Sequence, residues 1–216
     1  MGCFFCNIGI LCTVAWVIVA GACPGSNNGL SRHMEIASVP QTPKTKTDTW
    51  RFMDRERYIK VMDFIRSCKY GVNIIYITGK AITYLTAAIY LLTIALLVYR
   101  EDMRFIRVIA VPAVSFIILS VLRAKYNAVR PYEKYNFKPL IPKDTHGKSF
   151  PSRHVFSIFV CAGAAGYIYP QSGILIYIMG VLLAVIRVVS GVHFPKDVIA
   201  GALAGILCSI AGFTDL

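Results

Sequence analysis

The 216 residues are 56% hydrophobic and only 16% charged, whereas a soluble domain is usually about half apolar and about a quarter charged. The excess is gathered into blocks of about 18 or more apolar residues, enough to cross about 30 Å of hydrocarbon, which excludes a soluble domain and predicts an all-α, polytopic transmembrane bundle. The net charge of +12, from 23 Lys and Arg against 11 Asp and Glu, comes with no basic arm or aromatic-interleaved basic stripe, so nucleic acid is excluded as a partner and anionic headgroups or phosphorylated substrates are expected.

Residues 4–22 are apolar and long enough to span. No Lys or Arg precedes them, so they read as an anchor rather than a secretory signal. Ala20-Gly21-Ala22-Cys23 has only a faint likeness to a lipoprotein cleavage site, and Met1-Gly2 lacks the Ser or Thr at position 6 that myristoylation favours. Residues 24–50, rich in Pro, Ser, Thr, Asn and Lys, read as a linker. Residues 1–50 are therefore set apart from the functional core. Residues 51–80 mix Arg55, Arg57, Lys60, Arg66 and Lys69 with Tyr58, Phe64 and Ile65, the pattern of an amphipathic helix at the membrane surface.

The core is expected over 81–216, with five spans at 81–99, 105–122, 155–169, 173–189 and 198–213. Pro112 falls inside the second span, a position that membrane helices tolerate. Gly201 and Gly205 form a small-xxx-small pair suited to close helix packing. The seven cysteines, Cys3, Cys6, Cys12, Cys23, Cys68, Cys161 and Cys208, are odd in number and lack metal-ligand spacing, so neither a disulfide framework nor a zinc site is expected. Counting spans puts 123–153 and 187–197 on one side of the membrane, with the 170–172 turn on the other.

Those two segments hold the polar residues that a membrane protein retains only at a cost of several kcal/mol. They are Arg123, Lys125 and Arg130-Pro131; then Pro151-Ser152-Arg153-His154; then Arg187, His193 and Asp197. Arginine offers a rigid fork matched to phosphate oxygens, and lysine adds a point charge. Ser152 with its neighbouring backbone N–H groups, at a helix start, makes an anion cradle. His193 is a candidate nucleophile, with Pro195 opening a helix and Asp197 one turn on to orient the imidazole. His154 is then left as the general acid for the departing oxygen. With Asp197 committed to His193 and no carboxylate cluster nearby, no metal or other cofactor is expected. Lys134, Lys138, Lys143 and Lys148 read as solvated or lipid-facing, Tyr126, Tyr132 and Tyr135 as an interfacial aromatic belt, and His146 and His33 take no role.

In this order the blocks resemble the type 2 phosphatidic acid phosphatase superfamily. Its signatures are Lys-x6-Arg-Pro, Pro-Ser-Gly-His and Ser-Arg-x5-His-x3-Asp; here they read Arg123-x6-Arg130-Pro131, Pro151-Ser152-Arg153-His154 and Ile186-Arg187-x5-His193-x3-Asp197. The resemblance covers about residues 80–216. It implies that His193 forms a phosphohistidine, that Asp197 orients it, and that His154 protonates the leaving group. It assigns Arg130, Ser152 and Arg187 to the phosphate. Arg123 stands where the family has Lys, and Lys125 is its alternative if the register shifts. Arg153 replaces Gly and adds a cation, and Ile186 replaces Ser and removes a hydroxyl.

The implied function is metal-independent dephosphorylation of a lipid phosphate or isoprenyl diphosphate. A lipid phosphotransferase, a catalytically silent lipid-phosphate binder and a small transporter are the alternatives. The resemblance implies an extracytoplasmic site, which agrees with the count if 4–22 spans from inside. The Lys and Arg excess on the site side favours the opposite orientation, unless those cations serve phosphate.

Overall fold

A computed structural model describes residues 53–143 and 145–214; the expected anchor at 4–22 and the linker at 24–50 lie outside the described residues. The helices are α1 (Arg55–Ser67), α2 (Gly71–Tyr99), α3 (Arg104–Tyr126), α4 (Pro131–Lys134), α5 (Arg153–Ile168), α6 (Pro170–Val189) and α7 (Pro195–Phe213). No strand occurs among the described residues. Four segments, Gly71–Tyr99, Arg104–Lys134, Pro170–Val189 and Pro195–Phe213, are long and apolar enough to cross a membrane. The chain is an integral membrane protein.

Two expectations are adjusted by this architecture. The third expected span, at 155–169, is α5, which has only 16 residues, about 24 Å at about 1.5 Å each, and falls short of the hydrocarbon width. Its place explains why it need not reach: α5 is the central helix, packed against α6, α7, α3 and α2. Ile158, Ala162 and Ala165 from α5 are buried with Ile176, Met179 and Leu183 from α6. The interfacial segment expected over 51–80 ends early. A break at Cys68–Tyr70 separates α1 from α2, and residues 71–80, whose only charge is Lys80, continue into the long apolar helix.

Local chemistry sets the helix ends and the tolerated proline. Proline occupies the first turn of α4, α6 and α7, where its missing N–H costs nothing. Pro112 cannot donate to the carbonyl of Val108 four residues back. The Tyr90 hydroxyl of α2 donates to that carbonyl instead, at 2.9 Å. On α7, a Cβ at Gly201 would lie 2.6 Å from the Ser152 carbonyl, and one at Gly205 would lie 2.7 Å from Cβ of Phe159. The two glycines therefore let α7 lie directly against the start of α5.

The helices alternate in direction, so the α2–α3 and α5–α6 turns share one end of the bundle. The 127–152 connection and the 190–194 turn share the other. They are tied there by Leu140, whose N–H donates to the Ser190 carbonyl at 3.1 Å.

Candidate active site

The α6–α7 turn presents His193, and the first turn of α7 presents Asp197. Both are buried, at 2% and 1% exposure. Asp197 sits at the third helical position, where an acidic side chain reaches back to the N-cap and favours the positive helix end; its Oδ2 accepts the Phe194 N–H at 3.1 Å. The same oxygen lies 3.6 Å from Nδ1 of His193. The Ser149 hydroxyl donates to Asp197 Oδ2 and lies 3.5 Å from His193 Nδ1. Imidazole, hydroxyl and carboxylate thus form a triangle on the Nδ1 side of the ring, leaving Nε2 on the opposite side. Burial, with the Arg130 and Arg123 charges, pushes the His193 imidazolium down to about 4 against the opposing pull of Asp197. The ring is neutral at neutral pH, with a lone pair to offer.

The start of α5 is docked on the same helix end. The Ser152 N–H donates to the Asp197 carbonyl at 2.8 Å. Ser152 is fully buried, yet its Oγ has no hydrogen-bond partner among the described residues. His154, in the first turn of α5 and half-buried, is within electrostatic reach of Arg187, Lys143 and His193.

Around these groups stand the guanidinium side chains. Arg123, 8% exposed, donates from Nη1 to the Pro151 carbonyl at 3.1 Å. Arg130, 3% exposed, donates from Nε to the Gly147 carbonyl at 2.9 Å and approaches the Val192 carbonyl at 3.5 Å. Its backbone N–H is held by the Glu133 carboxylate at 2.9 Å. Arg187 buries an Nε that finds no partner among the described residues. A buried cation without a carboxylate, like a buried hydroxyl without an acceptor, carries a desolvation cost that an anionic ligand would remove.

Two of the sequence candidates stand apart. Lys125 is exposed while Arg123 is buried, because two residues on a helix differ by about 200° around its axis. Arg153 directs its guanidinium over the Phe116 ring of α3, 5.7 Å from its centroid, although it stays within electrostatic reach of Arg123 and Lys143. The aromatic belt divides similarly. Tyr126 is exposed, whereas Tyr132 is buried with its hydroxyl on the Thr145 carbonyl, and Tyr135 packs against Tyr58, Phe137 and Phe194. His146 pairs with Glu133 at 2.9 Å.

Three contributors escape motif reading. Ser149 is the second partner of both His193 and Asp197; its signal was a hydroxyl three residues ahead of Ser152 at the edge of the second block. Tyr58, fully buried on α1, donates its hydroxyl to the His193 carbonyl at 3.1 Å. Lys143, expected to be solvated or lipid-facing, is half-buried and within electrostatic reach of Arg187, Arg130, Arg123 and Arg153.

Comparison with known proteins fits this geometry. Residues 104–215, which are 112 of the 216, match the model of the PAP2 superfamily. Over 87 residues the chain is 32% identical to the lipid A 1-phosphatase of Porphyromonas gingivalis, covering 37% of this chain and 19% of that protein. Over 131 residues it is 27% identical to the bacitracin transport permease protein BcrC of Bacillus licheniformis, covering 57% of this chain and 64% of that protein. The chain thus spans less than two thirds of either relative.

Among solved structures, Aquifex aeolicus LpxE superimposes with a TM-score of 0.55 at 23% identity, over 71% of this chain and 93% of that one. A PAP2-type phosphatidylglycerolphosphate phosphatase from Bacillus subtilis superimposes with a TM-score of 0.57 at 18% identity, over 93% of this chain and 91% of that one. At such identities the superpositions speak for the fold. With its described residues all helix and loop, its three blocks gathered at one end of the bundle, and more than half its length matched, the chain belongs to the PAP2 superfamily.

Proposed function

We propose that this protein removes a phosphate from a lipid phosphate or diphosphate through a covalent phosphohistidine at His193. The observation that carries the reading is the placement of His193: buried, engaged on its Nδ1 side by Asp197 and Ser149, and within reach of the Arg130 and Arg123 charges. Nε2 attacks the terminal phosphorus, and the bond from that phosphorus to the lipid oxygen of a monophosphate, or to the bridging oxygen of a diphosphate, breaks. His154 gives the departing oxygen a proton, then takes one from a water molecule that attacks the phosphohistidine. Inorganic phosphate leaves and His193 returns neutral. Asp197 holds the Nδ1–H tautomer, so that positive charge developing on the ring is met as it forms.

Charge on the phosphoryl oxygens is met by Arg123, Arg130 and Arg187 and by the Ser152 hydroxyl, which act as fixed donors. The donor set at this site is one of cations and hydroxyls, and no group of three or more His, Cys, Asp or Glu able to hold a metal ion occurs among the described residues. In this reading the reaction uses no metal and persists in excess chelator. One relative carries a transport permease's name, but a transporter site belongs near mid-span, whereas these groups cluster at one end of the bundle. The site faces the extracytoplasmic side, as family resemblance implies.

A rapid quench with labelled lipid phosphate tests the reading. The expected product is protein-bound label that is acid-labile and alkali-stable, as a phosphoramidate is, and absent in His193→Ala. Label that persists in His193→Ala, or that appears at no quench time in the wild type, overturns it.

A further inference from the structure

The connection between α4 and α5 is fastened to the site at both of its ends. At one end the Leu140 N–H is bonded to the Ser190 carbonyl, and its side chain is buried with Tyr58, Met62 and Phe194. At the other, the Gly147 N–H donates to the Glu133 carboxylate at 3.0 Å, and its carbonyl accepts Arg130 Nε at 2.9 Å. Two residues further, Ser149 is locked to Asp197. The chain between these anchors bridges from the α6–α7 turn to the Arg130 platform, and Lys143 lies midway along it.

Four guanidinium groups act on the Lys143 ammonium: Arg187 from α6, Arg130 from the α3–α4 link, Arg123 from α3 and Arg153 from α5. His154 of α5 is also within its electrostatic reach. The Lys143 side chain is thus grouped with cations from four separate segments, at the end of the bundle where Ser190, Arg130 and Asp197 anchor its loop. No carboxylate pairs with it among the described residues. Burial first, and then those four charges, push its ammonium down to about 7, so among the described residues this place is rich in cations and poor in counter-ions. An anionic ligand would complete such a cluster.

We propose that Lys143 is a fourth phosphate-binding cation, outside the three signature blocks, that contacts a second phosphoryl group and so tilts the site toward diphosphate head groups over monophosphates. This rests on the phosphate-site reading above. A monophosphate seated against His193 already meets the arginines and feels Lys143 only at a distance. A diphosphate extends the head group beyond them and adds negative charge, which a direct charge-assisted hydrogen bond from Lys143 can meet.

Titration calorimetry on the full-length protein in detergent, with methylenediphosphonate and methylphosphonate as probes that cannot be hydrolysed, tests the assignment without depending on turnover. Lys143→Met is expected to weaken the diphosphonate by roughly 10- to 100-fold and the monophosphonate by only about 3-fold, the difference between losing a direct charged hydrogen bond and losing a distant charge. Lys143→Arg, which stays charged, should restore the diphosphonate. Its advantage over the wild type should grow as pH rises from about 6 to about 9, because lysine loses its proton in that range and arginine does not. Equal weakening of both probes in Lys143→Met, or none, overturns the role of Lys143 while leaving the phosphatase reading intact. A wild type that binds neither probe overturns both.

Discussion

At the end of the bundle formed by the α2–α3 turn and the C-terminus of α7, arginines are matched to acceptors. Arg104 forks onto Asp102, with Nη2 to Oδ2 at 2.6 Å and Nε to Oδ1 at 3.0 Å, in the open. Arg107 donates to the Gly212 and Thr214 carbonyls at 2.7 and 3.2 Å and lies over the Tyr167 ring, closing the last turn of α7 as basic side chains commonly do. At the opposite end Arg123 and Arg130 are buried against carbonyls, Arg187 keeps an Nε without a partner among the described residues, and Lys143 adds a further cation. Asp197, a carboxylate within electrostatic reach of Arg123 and Arg130, is already shared by Ser149, Phe194 and His193. The same residue type thus closes the structure at one end and leaves it electrostatically incomplete at the other. Buried cations of this kind carry a desolvation cost that an anion would lower.

The largest expected effect comes from removing the group on which that incomplete end converges. His193→Ala should lower kcat by roughly 10⁴-fold or more on lipid and aryl phosphates alike, because no other nucleophile is positioned. His154→Ala should separate the two substrates. A lipid alkoxide needs a proton as it leaves, and general acids contribute roughly 10²–10⁴-fold; a nitrophenolate leaves without one. The ratio of kcat/KM for the two substrates is the measurement. Equal losses would mean that His154 shapes the site rather than protonating the leaving group.

What could be read from the chain alone follows from where its polar groups lie. Charges at the ends of long apolar blocks carry their own signal, so the helical membrane core and the gathering of Arg123, Arg130, Ser152, His154, Arg187, His193 and Asp197 at one end were legible. Contacts made across sequence were not. Tyr58 meets His193 across 135 positions, and Ser149 meets Asp197 across 48, and no local periodicity encodes either pairing. Lys143 looked like any loop lysine until Leu140 and Gly147 were seen to hold its loop over the site. The choice between Arg123 and Lys125 needed the helix register, and the shortness of α5 needed its central position.

A direct comparison of the two ends is a matched pair of arginines. Arg187→Lys keeps the charge but loses the fork, and should lower kcat/KM by roughly 10²- to 10³-fold, the usual cost of removing one fixed donor to a developing oxyanion. Arg107→Lys should leave kcat/KM within about 2-fold and show its effect in thermal stability, because its acceptors are the final carbonyls of α7. Comparable activity losses in the two variants would erase the contrast between the ends.

The smallest effect concerns two tyrosines that make the same bond in different places. Tyr58 donates to the His193 carbonyl at 3.1 Å, and Tyr90 donates to the Val108 carbonyl at 2.9 Å; both are fully buried. Each hydroxyl contributes roughly 0.5–1.5 kcal/mol net, and removing it strands a buried carbonyl. Tyr58→Phe keeps the ring among Tyr135, Phe137 and Phe194, so packing survives while the backbone of His193, the proposed nucleophile, loses one of its fixed points. The other is its N–H on the Arg187 carbonyl at 3.2 Å. Because Tyr58 touches no phosphate ligand, KM should hold while kcat falls by about 3- to 10-fold, the range spanned by that hydrogen bond if its loss is felt at the attacking atom. Tyr90→Phe should cost similar stability with kcat unchanged. A Tyr58→Phe enzyme whose kcat stays at the wild-type value would mean that α1 only packs against the core. A fall in kcat shared equally by Tyr90→Phe would mean that bundle stability, and not the placement of His193, sets the rate.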